Sequence, residues 1–319
     1  MADSFALRPL DPGIDSQAVV ELLNTHFLEP VTLEVWQHER EQVLARGDLL
    51  REMVAVEGSG RLVGYAWVKR EYGTWDPGRL NLWVFVSSDA RNRGLGTRLY
   101  EDGMAFVTGR GAEKLDTSVL DDDAPSLAFA EHRGFQLDLH TYGSQLDVPA
   151  FDESPFTGVI EGAESTGIRF FSMADLGNTP EAQRKLYELN KYVDAEIPGE
   201  RVFPSFEEFS QIVFQSEWYV PEGQIVAADG DHWIGMCAVG YFPQTESMHV
   251  MMLGVNSAYR GRKIGLALKL LSHRVAKALG VKHLKTGNAS QNAPILAMNR
   301  KLGYKKMRGT YQMQKQLRP

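Results

Sequence analysis

Arg91-Asn92-Arg93-Gly94-Leu95-Gly96-Thr97 and Arg260-Gly261-Arg262-Lys263-Ile264-Gly265-Leu266 decide the reading of this chain, because the second stretch repeats the first 169 residues later. The same offset joins Leu115-Asp116-Thr117 to Leu284-Lys285-Thr286, Asp123-Ala124-Pro125 to Asn292-Ala293-Pro294, and Arg133-Gly134-Phe135 to Leu302-Gly303-Tyr304. A constant spacing held over more than forty residues marks an internal duplication. Upstream the likeness continues with small loop differences. Arg61 to Val68 resembles His232 to Val239, and Phe5 to Leu10 resembles Ile168 to Met173. Each copy therefore spans about 150 residues, and 319 residues accommodate two domains. The expected bounds are 1–150 and 165–319. Val148 to Gly167, rich in Pro, Gly, Ser and acids, reads as the connection, with room for one edge strand.

Both copies follow one order of elements. A short strand opens each, then a helix (Ala18 to Phe27; Pro180 to Val193), the second with Thr179 as N-cap and Pro180 in the first turn. A hairpin follows, Met53 to Glu57 with Leu62 to Val68, and Gln224 to Ala228 with Trp233 to Val239, turning at Gly58-Ser59-Gly60 and Asp229-Gly230-Asp231. A fourth strand, Leu80 to Val86 or Met248 to Val255, runs into the Gly-containing loop. The next helix shows its apolar face in Ile264, Leu268, Leu271, Val275 and Leu279, and Gly280 ends it. A strand, a short helix and a last strand close each copy. The fold class is α/β (α+β): two tandem domains, each a twisted, mostly antiparallel sheet flanked by helices.

Composition narrows the function. A net charge of −7 argues against broad nucleic-acid binding, which needs a basic surface. The basic run from Lys301 to Arg318 reads as a solvated last strand and tail. The single cysteine, Cys237, lies in an apolar run and reads as a core thiol, not a nucleophile. Without a basic n-region, a long apolar h-region or an 18-residue apolar stretch, the expectation is a cytoplasmic protein with no membrane partner. No His/Cys/Asp cluster has metal-ligand spacing, and no G-x-x-x-x-G-K-[ST] is present.

The loop carries the chemistry. A helix N-terminus offers unpaired N–H groups and a positive dipole end, glycine lets backbone approach a pyrophosphate, and arginines add donors to its oxygens. RNRGLG resembles the acyl-CoA pyrophosphate loop, Q/R-x-x-G-x-G/A, of the GNAT acetyltransferase superfamily. Gly134-Phe135 and Leu302-Gly303-Tyr304 are similar to that family's closing L-G-F. The resemblance covers nearly the whole chain as a tandem pair. It implies acetyl-CoA as cofactor, a sheet that splits like a V at the fourth strand, and pantetheine lying there like an added strand. Residue by residue, it implies cofactor contacts at Phe85, Val86, Arg91, Arg93, Gly94, Leu95, Gly96 and Thr97 in the first copy. In the second copy it implies contacts at Gly254, Val255, Arg260, Arg262, Lys263, Ile264, Gly265 and Leu266.

The copies differ. In register, Lys263 stands where the first copy has Gly94; a register shifted to Arg262-Lys263-Ile264-Gly265-Leu266-Ala267 also satisfies the pattern. The second copy alone has Asn288, Asn292 and Asn299, and in the family an Asn after the fifth strand commonly binds the pantetheine arm. Asn292 also fits a helix cap. The tyrosine that many relatives use as acid is absent: the matched positions are Ala130 and Asn299. Candidate bases in the second copy are His249 and Glu246. In the first, Glu71, Tyr72, Asp76 and Asn81 occupy the corresponding region, and Trp75, Trp83, Trp218 and Trp233 are candidate pocket walls. The expected function is transfer of acetyl from acetyl-CoA to a primary amine of a small-molecule acceptor by direct attack on the thioester, with the second copy favoured as the working site. The alternative is a non-catalytic acyl-CoA-binding or regulatory protein. The expected state is monomer or homodimer.

Overall fold

The structure is a computed structural model that describes residues 5–27, 30–45, 50–70, 78–196 and 203–317. The first repeat runs β1 (Ala6–Pro9), α1 (Pro12–Asn24), α2 (Leu33–Ala45), β2 (Leu50–Val56), β3 (Leu62–Lys69), β4 (Arg79–Val86), α3 (Leu95–Thr108), β5 (Lys114–Leu120), α4 (Ala124–Glu131) and β6 (Gln136–Asp147). After α5 (Val159–Glu164), the second runs β7 (Ile168–Ser172), α6 (Pro180–Ala195), α7 (Phe206–Phe209), β8 (Tyr219–Asp229), β9 (His232–Phe242), β10 (Ser247–Val255), α8 (Ile264–Ala278), β11 (His283–Ala289), α9 (Ala293–Lys301) and β12 (Lys305–Gln316). Glu71, Tyr72, Trp75, Asp76 and Arg318 lie outside the described residues.

Local chemistry sets the helix starts. Asp11 accepts from Gly13 N–H, and Pro12 follows it, so α1 begins six residues before the apolar periodicity does. Thr179 caps α6 as its sequence predicts, accepting from Ala182 N–H. The connection holds helix rather than strand. Ile160 and Ala163 of α5 are buried, together with Phe156 just ahead of it, so its apolar residues are spaced for one helical face.

The chain forms two compact units, and their bounds do not follow the repeat bounds in the sequence. One unit comprises Met1–His140 with Arg308–Pro319; the other comprises Thr141–Met307. The closing strand of each sheet comes from the other repeat. In the first unit, β12 pairs antiparallel with β5, Thr310 opposite Leu120 through Gln316 opposite Lys114. In the second, β6 pairs antiparallel with β11, Thr141 opposite Ala289 through Asp147 opposite His283. Strand order is thus β1-β2-β3-β4-β5-β12 in one and β6-β11-β10-β9-β8-β7 in the other.

Each sheet contains one parallel pair, and that pair is short. β4 pairs with β5 from Arg79–Lys114 to Asn81–Asp116 only, while its other edge stays paired with β3 as far as Val86 opposite Gly64. β10 pairs with β11 from Ser247–His283 to Val250–Thr286, and with β9 as far as Val255 opposite Gly235, with a bulge between Val250 and Met252. Beyond these points the parallel strands part. In the first unit Leu95 and Leu99 of α3 pack with Val63 and Val86 on one face of the sheet. Val19 and Leu23 of α1 pack with Tyr65 and Phe85 on the other. In the second, α8 buries Ile264 and Leu268 on one side, and α6 buries Leu186 and Val193 on the other.

Removing Arg308–Pro319 therefore takes a strand from the first unit. Loss of buried Met313 alone should cost on the order of 3 kcal/mol. Hydrogen exchange should show β5 amides (Lys114–Leu120) losing protection while those of β9 and β10 keep theirs; equal protection of β5 before and after truncation would contradict the exchange of strands.

Candidate functional site

The two loops have one backbone. Asn92 and Gly94 take positive φ in the first (62° and 77°); Gly261 and Lys263 take it in the second (79° and 61°). Each pair has one glycine and one larger residue, with the glycine at opposite places. Gly94 and Lys263 are both the left-handed N-cap residue, of α3 and α8 respectively. The structure therefore selects the in-register reading, Lys263 opposite Gly94, over the shifted one. Lys263 bears a left-handed cost of about 1 kcal/mol that glycine would not.

Neither cap residue gives its helix a side-chain hydrogen bond. Every other helix of eight or more residues with a described N-cap has one: Asp11, Thr179, Asp123 and Asn292 cap α1, α6, α4 and α9. The N–H groups of Leu95, Gly96 and Thr97, and of Ile264, Gly265 and Leu266, thus head two helices whose N-cap residues give them no side-chain hydrogen bond. That is the arrangement an anion satisfies. The side chains of Leu95 and Ile264 are core residues, each 1% exposed, so those positions have only main chain to offer a ligand.

Of the four arginines, the first in each loop holds the loop itself. Arg91 Nε donates to the Val86 carbonyl at 3.3 Å, and Arg260 Nε to the Val255 carbonyl at 3.2 Å. Arg91 also pairs with Asp123 (3.2 Å) and donates to His26 Nε2 (3.1 Å), and Arg260 pairs with Glu196. Arg93 lies 3.6 Å from Glu57 and 5.6 Å from the centre of the Phe5 ring. Arg262 donates to Thr166 Oγ1 at 3.1 Å. Thr97 Oγ1 accepts from Arg133 at 2.6 Å, and Arg133 lies flat on Phe129, 3.4 Å from the ring centre.

Where β4 and β5 part, the first unit holds a cavity of about 390 Å³ lined by Trp83, Phe85, Val119, Phe129, Phe135 and Asp123, among others. His26 also lines it, a residue that sequence spacing did not single out because it follows α1 with no motif around it. Burial pushes its imidazole pKa down, and the neighbouring Arg91 charge acts in the same direction. A second cavity of about 350 Å³ adjoins on the α1–α2 side, sharing Phe27 and Trp83. At its wall the Glu52 carboxylate accepts from Tyr65 Oη and Arg40 Nε, both at 2.6 Å.

In the second unit the parted strand lies open. Met251 is 48% exposed, and Leu253, Gly254 and Val255 are half-buried although β10 is not an edge strand. Gly254 has a packing reason: a Cβ there would lie 2.1 Å from Val193, so glycine lets α6 approach the strand. His249 is half-buried one residue before the last β10–β11 pair. Its Nε2 lies 3.2 Å from Ser247 Oγ, and its ring centre 4.5 Å from that of Phe242. Glu246 is exposed at the closed end of the V, bound to Lys282 Nζ at 2.6 Å, so the structure does not bring it to the cleft.

The asparagines divide. Asn292 caps α9 through Ile295 N–H (3.4 Å). Asn299 is buried at 2% exposure and accepts from Lys269 Nζ (2.6 Å); it faces the core, not a ligand. Asn299 Nδ2 donates to Asn288 Oδ1 at 2.8 Å, and Asn288 is half-buried on β11 beyond the parting point. Lys269 is fully buried, and burial pushes its ammonium down to about 8. Cys237 is buried as its sequence predicts, and burial raises its thiol to about 11.

A parted parallel pair, a positive-φ loop and an uncapped helix, present twice, define a tandem fold of the acyl-CoA-binding kind. The chain belongs to the acetyltransferase (GNAT) family, whose sequence profile matches residues 17–135 and 189–304. It is similar to the mycothiol acetyltransferases of Actinosynnema mirum (27% identity over 146 residues, 42% of this chain and 46% of that one) and Corynebacterium jeikeium (28% over 148 residues, 44% and 43%). The match thus spans less than half the length of these curated relatives. Among solved structures, a GCN5-related N-acetyltransferase from Sphaerobacter thermophilus shares the fold at a TM-score of 0.73 and 21% identity, covering 99% of this chain and 96% of that one. A tandem GNAT protein from the clavulanic acid biosynthesis pathway does so at 0.67 and 17%, covering 99% of each. Among the described residues, no helix is long and apolar enough to cross a membrane.

One buried histidine supplies a pH test. His273 Nε2 meets Tyr304 Oη at 2.9 Å while Nδ1 has no hydrogen-bond partner among the described residues, and burial, then the Lys269 charge, depresses it to about 3. Between pH about 6.5 and about 3 the unfolded chain binds a proton there that the folded chain does not, so stability falls as pH falls across that window, by up to about 5 kcal/mol in all. His273→Met, which installs the residue of the first repeat (Met104), should move the acid-unfolding midpoint to lower pH. It should cost about 1 kcal/mol at neutral pH by leaving Tyr304 Oη unpaired. An unmoved midpoint would refute the assignment.

Proposed function

We propose that this protein is an acetyl-CoA-dependent N-acetyltransferase acting on a primary amine of a small molecule. The observation that carries the reading is the pair of uncapped helix N-termini, each at the mouth of a V. The pyrophosphate of the cofactor sits on those N–H groups. The pantetheine arm runs along the unpaired edge of β4 or β10, where main-chain donors and acceptors await a partner.

Transfer is assigned to the second unit. His249 stands beside the fork of its V; the first repeat has buried Leu80 at the matched place. In the reaction the amine lone pair attacks the thioester carbonyl carbon, a C–N bond forms, and the C–S bond breaks with release of CoA thiolate. A main-chain N–H near Val255 donates to the carbonyl oxygen as charge builds. His249 takes the proton lost by the amine. Ala130 and buried Asn299 stand where the acid of many relatives would be, so the thiolate leaves unassisted, which a thiol pKa of about 8.5 permits. The first unit binds acyl-CoA in an aromatic cleft whose histidine, His26, already accepts from Arg91 at Nε2 and is not free to take the amine proton. Lack of that acid in both units also favours the second reading, a chain that binds acyl-CoA without turnover.

Thiol release from acetyl-CoA with a panel of small amines separates the two. Turnover should appear and should rise with pH as more of the amine is neutral, toward its pKa of about 10.4 for a lysine-like acceptor. Gly265→Glu should raise KM for acetyl-CoA at least tenfold by placing a carboxylate at the helix terminus. His249→Ala should lower kcat by 10²-fold or more. No turnover with any amine, alongside intact CoA binding, would leave the non-catalytic reading; turnover untouched by Gly265→Glu would move the working site to the first unit.

A further inference from the structure

The second unit contains a directed chain of hydrogen bonds that the first lacks. Lys269, on α8, is fully buried, and its ammonium has donors only. It therefore turns the Asn299 carbonyl oxygen toward itself, at 2.6 Å. The Asn299 amide nitrogen must then point the other way, and it donates to Asn288 Oδ1 at 2.8 Å. With Oδ1 turned toward Asn299, the Asn288 Nδ2 hydrogens point the other way. Asn288 sits on β11 two residues past Thr286, where β11 has already left β10. The matched residues of the first unit are Tyr100, Ala130 and Val119, which form no such chain.

We propose that Lys269 is a positioning residue that, through Asn299, fixes the Asn288 side chain as a hydrogen-bond donor to an amide carbonyl of the cofactor's arm in the second unit. This rests on the reading of that unit as an acyl-CoA site. The polarity of the chain is its content: an ammonium at one end sets a donor at the other, and each amide between has one orientation that satisfies both neighbours. A cofactor amide carbonyl is an acceptor and matches that donor.

Asn299→Asp in the full-length protein tests it. A carboxylate still accepts from Lys269, so the buried charge stays paired, but it cannot donate to Asn288. Asn288 is then free to turn its amide over. The expected result is a thermal midpoint at or above that of the wild type, with KM for acetyl-CoA raised about tenfold and kcat within about twofold. Asn288→Ala should give the same rise, and the double variant no more than either alone. Lys269→Met, which removes the ammonium for an apolar side chain of similar length, should likewise raise KM while preserving folding. If Asn299→Asp leaves KM unchanged, or the two substitutions add, the chain serves only to pair a buried lysine and the proposal fails. If Asn288→Ala has no effect while Gly265→Glu abolishes tight acetyl-CoA use, the proposal fails and the functional reading stands. If Gly265→Glu also has no effect, the reading of the second unit itself fails.

Discussion

The parallel pairing in each sheet lasts three or four residues, and the candidate site exists because it stops. A strand in the middle of a sheet normally satisfies main-chain groups on both edges. β4 beyond Asn81 and β10 beyond Val250 keep partners on one edge only. The open edge resembles a sheet rim that accepts an extended ligand as an extra strand. Because β4 and β10 each lead directly into a tight loop, the open edge ends at a helix terminus. An extended arm and an anionic head are thereby accommodated by one continuous segment of chain. The bulge at Met251 adds to the divergence in the second unit, since an extra residue bends and twists the strand that carries it.

Much of this was legible in the sequence, and what was legible is local. The duplication, the two loops, the Thr179 cap and the burial of Cys237 all depend on neighbours within a few positions. The alternative given for Asn292, a helix cap, was also readable, because capping depends on the residue three positions on. What could not be read depends on distant chain. The exchange of closing strands leaves no local mark, since β6 and β12 have the same pattern whichever strand they pair with. Gly254, a candidate ligand contact in sequence, also lets Val193 approach the strand, which only the fold reveals. Asn299 reads in sequence as a candidate cofactor contact, and its burial against Lys269, thirty residues earlier, shows only in the fold. His26 reaches the cleft only because Arg91 binds it across 65 positions.

The two repeats place their polar groups differently. In the first, half-buried Tyr100 and the buried, apolar Ala130 and Phe135 line the cavity. In the second, Lys269, Asn299 and Tyr304 occupy the matched positions and are buried. Burying an ammonium is costly unless it is paired, and here its recorded partners are one amide oxygen and the face of the Tyr304 ring, 4.5 Å from Nζ. An apolar core of the first-repeat kind would avoid that cost. The second repeat instead has the polar chain, which the proposed orientation of Asn288 explains better than stability does.

Charge at the loops points the same way. In the first, Arg91 faces Asp123 and Arg93 faces Glu57, so both cations have a carboxylate close by. In the second, Arg260 faces Glu196, whereas Arg262 is held by a neutral hydroxyl, and Lys263 adds a further cation with no acidic partner among the described residues. The second loop therefore presents roughly two more uncompensated positive charges to an approaching pyrophosphate. Both side chains are exposed, so each adds a modest attraction that salt screens. Lys263, which stands where the first copy has Gly94, adopts the same left-handed backbone at a cost of about 1 kcal/mol. Its charge stands at a helix N-terminus, where the dipole favours an anion, so the position is compatible with the proposed pyrophosphate site.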